Sequence, residues 1–222
     1  MDGTRKVYFA GDLFDAKDLI GNALLAEAVE MEAGGRYEIV LPQDAESAGP
    51  ARSAQGIRDT DFALLFQCDM LAACFDGADP DSGTVAEFCF AKAADIPAVL
   101  IRTDFRQGGD RSLPDGDPWN LMCSHYPRTE VVALNALRTY CQCREGRGRA
   151  EALTEFRRLL AQEVVRALDA VAAQPSWLKC AELPGHYRKL FRSIGGTLAE
   201  RLAPLLPELL KHKAASGLYS AE

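Results

Sequence analysis

Met70-Leu71-Ala72-Ala73-Cys74-Phe75-Asp76-Gly77, followed after a short gap by Asp81-Ser82-Gly83-Thr84-Val85-Ala86-Glu87, is the stretch from which the fold is read. Its first six residues are apolar and end at the turn-forming pair Asp76-Gly77. A helix-compatible run then reaches Ala94, and Pro97-Ala98-Val99-Leu100-Ile101 has the composition of a second buried strand. Strand, acidic loop, helix and strand make a βαβ unit. Two carboxylates stand at the C-terminal edge of its first strand, the edge at which open α/β sheets bind ligands.

Working outward, Val7 to Ala10 reads as a short strand ending at Gly11. Asp15 is a good N-cap, with Asp18 three residues on. Leu19, Ile20, Leu24, Leu25, Ala28 and Val29 share a helical face, and Gly34-Gly35 stops the helix. Tyr37 to Leu41 is a second strand closed by Pro42, and a polar loop runs from Gln43 to about Gly56. Ile57, Asp61, Leu64, Leu65 and Cys68 suit a helix leading into Met70. Residues 104–119 are glycine-rich and charged, the composition of a mobile loop or lid. Val131-Val132-Ala133-Leu134 reads as the last strand. Alternation of this kind predicts a parallel sheet covered on both faces.

From about Arg149 the chain is helix-compatible, with Leu153, Phe156, Leu159, Leu160, Val164, Val165 and Leu168 on one face until Pro175 breaks the pattern. Tyr187 to His212 is a second apolar stretch, which Pro204 and Pro207 divide into two short helices. Packing on the sheet or on each other is the first reading of these helices, and an oligomer interface the second.

The net charge of −7 and a pI near 5.1 argue against a nucleic-acid backbone or an anionic membrane as partner. No apolar run approaches the roughly 20 residues of a membrane helix. The seven cysteines are odd in number and form no CxxC pair, and Cys141 and Cys143 stand too close for a zinc pair. His125, His186 and His212 are scattered. The expectation is a reduced, cytoplasmic protein with no leader, cofactor or structural metal.

On spacing alone, Thr84 and Glu87 match the S/T-x-x-E capping box, with a helix from Val85 onward, and Asp76 and Asp81 are ordinary turn residues. Four separated segments change that reading. Val7-Tyr8-Phe9-Ala10-Gly11-Asp12-Leu13-Phe14 resembles the YFAGxLF opening of the nucleoside 2-deoxyribosyltransferase family. Asp61, eight residues before Asp69, is similar in placement to an aspartate that the family uses near the base. Asp76 to Glu87 (DGADPDSGTVAE) resembles the DG…DxGTxxE signature, and Trp119-Asn120-Leu121-Met122 the NLM segment. Together they cover roughly residues 7–125 in consistent order; the tail lies outside the resemblance.

The resemblance implies a flavodoxin- or Rossmann-like open parallel sheet of about five strands over residues 1–145, with a helical extension over 146–222. Glu87 would be the nucleophile, Tyr8 would hold it, and Asp61 would contact the base and assist its protonation. Asp81 and Asn120 would bind the sugar 5′-hydroxyl, with Asn120 supplied by a neighbouring subunit in a homo-oligomer. Asp76, Gly11, Phe14 and Met122 complete the expected substrate contacts. Two departures stand out. Cys89 takes the glycine place of the family's ExGxA pattern, and the loop Gln43-Asp44-Ala45-Glu46 matches poorly where base contacts are expected.

Two carboxylates with an oxocarbenium-like transition state suit N-glycosidic chemistry. The related deoxynucleotide N-hydrolases carry a serine six residues before their glutamate, where this chain has Asp81, and a carboxylate repels a phosphate at short range. The implied substrates are therefore nucleosides and free nucleobases. Transfer of 2-deoxyribose between bases comes first, a nucleoside N-hydrolase second, and a non-catalytic nucleotide sensor third.

Overall fold

A computed structural model describes residues 3–45, 53–106, 108, 109, 111 and 114–220. Five strands, β1 (Arg5–Ala10), β2 (Tyr37–Val40), β3 (Met70–Cys74), β4 (Ala98–Arg102) and β5 (Thr129–Ala133), pair in parallel in the order β2-β1-β3-β4-β5. This is the open sheet expected from the sequence. Runs such as Val7–Ala10, Met70–Ala73 and Ala98–Arg102 are buried because helices cover both faces.

The helices are α1 (Ala16–Ala33), α2 (Pro42–Ala45), α3 (Ala54–Gln67), α4 (Ser82–Ala93), α5 (Ala136–Arg144), α6 (Arg149–Ala172), α7 (Leu183–Ile194), α8 (Leu198–Leu202) and α9 (Leu206–Ala215). From β1 the chain crosses to β2 on one side, then returns past β1 to β3 on the other. Right-handed crossovers therefore put α1 on one face and α3 and α4 on the opposite one. The reversal makes β1 and β3 the switch point, where a crevice opens at the C-terminal edge. Phe9 pairs with Ala72 and Ala10 with Ala73, so the loops that begin at Gly11 and Phe75 leave the sheet side by side.

Asp15 caps α1 as expected, accepting from the Lys17 and Asp18 amides, and Gly34 ends the helix in the left-handed region (φ 58°). The buried face is not the expected one, however. Asn22, Ala26, Val29 and Ala33 are buried, Leu25 and Ala28 are half-buried, and Leu19, Ile20 and Leu24 are exposed. α1 packs on α6 and on β2.

The stretch from Tyr187 holds α7, α8 and α9 and so contains three helices where two were expected. Gly195 and Gly196, both at positive φ, separate α7 from α8. Pro207 lies in the first turn of α9, where a missing N–H is tolerated. Residues of α6 to α9 share one apolar core with the sheet: Leu160, Val164 and Leu168 on one side, Tyr187, Phe191 and Leu198 on the other. Of the expected lid over 104–119, positions 107, 110, 112 and 113 lie outside the described residues, as does Glu46 of the loop after Pro42. Among the described residues, no helix is long and apolar enough to cross a membrane.

Candidate active site

Tyr8 is buried on β1, and its hydroxyl donates to Glu87 Oε1 of α4 at 2.5 Å. Burial raises the Tyr8 pKa far above its ordinary value, with further contributions from the Glu87 charge, the hydrogen bond and Asp61. The phenol therefore stays a donor. Burial also pushes Glu87 up to about 7; the Tyr8 hydrogen bond pulls it down, and the charges of Asp61 and Asp81 push it up.

α4 begins at Ser82, three residues before the expected start, and the Thr84–Glu87 capping box does not form. Asp81 is the N-cap: Oδ2 accepts from the Thr84 amide at 2.9 Å and from Thr84 Oγ1 at 3.3 Å. This earlier start puts Glu87 in the second turn, on the face toward β1, where it meets Tyr8. Asp-x-x-Thr competes with Thr-x-x-Glu for the helix start, and aspartate is at least as good an N-cap as threonine.

Asp76 is held by the segment after β4. Its Oδ1 accepts from the amides of Thr103 (2.5 Å) and Asp104 (2.7 Å), and its Oδ2 from Thr103 Oγ1 (2.6 Å). Buried Arg102 donates to the carbonyls of Phe75 (2.5 Å) and Gly77 (2.8 Å), which fixes the same loop from the other side. Asp12, in the loop after β1, has its carboxyl pKa raised by burial and by the charges of Asp81, Asp18, Asp76 and Asp15. The two loops at the switch point thus carry a rim of negative charge.

Glu87 and Asp61 open together into a cleft of about 610 Å³ between α3, α4 and the end of α7. Ile57, Phe62, Phe90 and Ile194 give it apolar walls, and Arg58 and Ser193 add polar groups. The Phe62 and Phe90 rings meet edge to face at 5.0 Å. Such a mostly apolar slot with a few convergent polar groups is suited to a flat heteroaromatic ring.

The structure thus brings Tyr8, Asp61 and Glu87 together, with Asp81 at the start of the same helix. Gly11 stands where an added Cβ would meet Cys74 Cβ at 3.3 Å, so it permits close approach of the β1 and β3 ends. Phe14 is 81% exposed beside the rim. Asn120 caps a short 3₁₀ turn, Leu121–Cys123, by accepting from the Met122 amide at 3.0 Å. Asn120 and Met122 do not line the Glu87 cleft of their own chain, and Met122 is 69% exposed. The reading from sequence overlooked Asp12, Arg58, Ser193 and Ile194. Asp12 lies inside the opening motif and was open to inspection, whereas Ser193 and Ile194 reach the cleft only through tertiary packing. Among the described residues, no group of three or more His, Cys, Asp or Glu is arranged to hold a metal ion.

A conserved protein from Enterococcus faecalis V583 is 28% identical, with TM-score 0.50 over 59% of this chain and 92% of its own. A 2-deoxyribosyltransferase from the psychrotolerant bacterium Bacillus psychrosaccharolyticus is 20% identical, with TM-score 0.39 over 46% of this chain and 74% of its own. An oxidoreductase from Corynebacterium diphtheriae is 13% identical, with TM-score 0.40 over 77% and 99%. No curated protein matches the chain. The family model described as nucleoside 2-deoxyribosyltransferase matches residues 7–122, which is more than half of the sequence and contains Tyr8, Asp61, Asp81, Glu87 and Asn120. By that match the chain belongs to the nucleoside 2-deoxyribosyltransferase family.

Proposed function

We propose that this protein transfers 2-deoxyribose from one nucleobase to another by double displacement with retention, using Glu87 as nucleophile. The observation that carries the reading is the Tyr8–Glu87 hydrogen bond of 2.5 Å at the wall of a cleft that Asp61 also lines. A carboxylate oriented through Oε1 has Oε2 left for C1′. As Oε2 attacks, the C1′–N bond breaks and its electron pair goes to the base nitrogen, while Asp61 helps deliver a proton to the base. A second base then attacks C1′ of the glycosyl-enzyme and passes its N–H proton to Asp61, while the C1′–Oε2 bond breaks and its electron pair returns Glu87 as a carboxylate. No cofactor enters either step.

The negative rim of Asp12, Asp76 and Asp81 favours a free 5′-hydroxyl over a 5′-phosphate of charge near −2. Asp81 Oδ1 makes no hydrogen bond within the helix cap and is the atom we assign to that hydroxyl. Asn120 lies away from its own chain's cleft, so a neighbouring subunit is its route to the sugar.

The test incubates the protein with a 2′-deoxynucleoside, with and without a second free base. A new nucleoside is the expected product, and Glu87→Gln lowers its formation by about 10³-fold or more. A 2-fluoro analogue should leave a covalent adduct on the peptide containing Glu87. Free sugar alone would replace the transferase reading with a hydrolase. Absence of any turnover, with no adduct, would end both.

A further inference from the structure

The outer wall of the Glu87 cleft comes from outside the matched region 7–122: Ser193 and Ile194 at the end of α7 face Ile57, Phe62 and Phe90. Phe191, one turn earlier, packs on Phe66 of α3 with ring centroids 5.0 Å apart. The following segment is anchored to α3 by a buried carboxylate. Asp59 Oδ2 accepts from the Thr197 amide at 2.7 Å and from Thr197 Oγ1 at 2.8 Å. Its Oδ1 accepts from Arg58 Nε (3.0 Å) and Nη2 (2.6 Å). Arg201 adds bonds to the Gly56 carbonyl (3.3 Å) and Thr60 Oγ1 (3.1 Å).

Gly196 makes this approach possible. It stands at φ +64°, and a Cβ there would lie 2.6 Å and 2.7 Å from the two Asp59 oxygens. Burial alone would raise the Asp59 pKa, yet the bonds from Thr197 and Arg58 hold it below the usual range, so the anchor is a carboxylate. Asp59 is two residues before Asp61 on α3, so one element carries both the anchor and a wall of the cleft. Ile194 is only half-buried, with apolar surface left to cover.

We propose that Ile194 is a specificity-determining residue that bounds the nucleobase slot, with Asp59 and Thr197 as the positioning residues that fix it there. The inference rests on the proposed reading of the cleft as a nucleobase site. The wall limits substituents that project from the base and is indifferent to the sugar. Residues after 122 therefore take part in choosing the substrate as well as covering the sheet.

The test uses the full chain and two pairs of substrates: 2′-deoxyadenosine against its N6-benzyl derivative, and 2′-deoxyuridine against its 5-propynyl derivative. Ile194→Ala should shift the kcat/KM ratio toward the bulky partner by about tenfold, and Ile194→Trp should shift it about as far the other way. Thr197→Val keeps the amide bond to Asp59 and loses the hydroxyl bond; it should raise KM for the acceptor base several-fold and leave kcat unchanged. Calorimetric titration with adenine and 6-benzylaminopurine gives a second readout that needs no turnover. Turnover with ratios unmoved within twofold in both Ile194 variants overturns the wall and leaves the transferase reading intact. Base binding that follows residue 194 without turnover overturns the transferase reading and supports the wall. Neither turnover nor base binding overturns both.

Discussion

At the residue scale the Glu87 carboxyl decides the pH behaviour. Its pKa is lifted from 4.5 to about 7, chiefly by burial, with Tyr8 opposing and Asp61 and Asp81 assisting. In the proposed mechanism only the ionised form attacks, so the rate of glycosyl-enzyme formation should rise with pH through about 7 and level off above it; single-turnover kinetics between pH 5 and 9 read this directly. Stability moves the other way. A carboxyl whose folded pKa lies above its unfolded value contributes fully below about pH 4.5, and the contribution is lost as pH rises through about 7. Glu87→Gln should therefore melt like the parent near pH 4.5 and at a higher temperature at pH 8. A flat rate profile, or a variant less stable at pH 8, would contradict the burial of this charge. Tyr8, Asp61 and Glu87 are visible in the sequence because each sits in a short motif with its own spacing. The Tyr8–Glu87 pairing comes from the family resemblance and not from spacing, since a capping box and a buried hydrogen bond to Tyr8 look alike until the helix start is known.

At the element scale the start of α4 gives Asp81 two separable duties. As N-cap it binds the Thr84 amide, and by proposal it receives the sugar 5′-hydroxyl. Asparagine caps a helix as well as aspartate, while alanine forfeits about 1 kcal/mol. Asp81→Asn should thus keep the melting temperature that Asp81→Ala loses. Both should relax the discrimination against deoxynucleoside 5′-monophosphates, because each removes a negative charge from the rim. Measuring the ratio of nucleoside to monophosphate turnover in the two variants separates charge from cap; an unchanged ratio in both would remove Asp81 from the sugar site. Strand positions were legible from their apolar runs and turn residues, as were the Asp15 cap and the Gly34 stop. The orientation of α1 was not, because a stripe of larger side chains (Leu19, Ile20, Leu24) competes with the face of Asn22, Ala26, Val29 and Ala33 that tertiary packing buries. Propensity locates a helix, and the partner helix chooses its buried face.

At the scale of the whole molecule, the last third of the chain docks against the N-terminal edge of the sheet as well as walling the Glu87 cleft. Buried Arg128 pairs with buried Asp95 at 3.0 Å and donates to the Leu218 carbonyl at 2.6 Å. Lys213 donates to the Cys68 carbonyl at 2.8 Å, and His212 meets Asp69 at 2.8 Å. Partners this remote in sequence leave no periodic trace, so the helices after Arg149 are legible as helices while their docking is not. Arg128→Met strands Asp95 without its counter-charge and should cost about 3–5 kcal/mol in denaturant unfolding; a loss under 1 kcal/mol would mean the edge is held by packing alone. The opposite edge raises the question of a second copy. Phe14, Ile20, Leu121 and Met122 are exposed apolar residues, and Asn120, which precedes Leu121 in the chain, lies outside its own cleft. If a neighbouring subunit supplies Asn120, two inactive variants can repair each other: in a mixed dimer of Glu87→Gln and Asn120→Ala, one site pairs an intact Glu87 with an intact Asn120. Random mixing of equal amounts makes half of all dimers hybrid, and each hybrid has one complete site of its two, so the mixture should regain about a quarter of the parent's activity. Continued inactivity after verified subunit exchange would return Asn120 to its own chain and remove the need for a partner at the sugar.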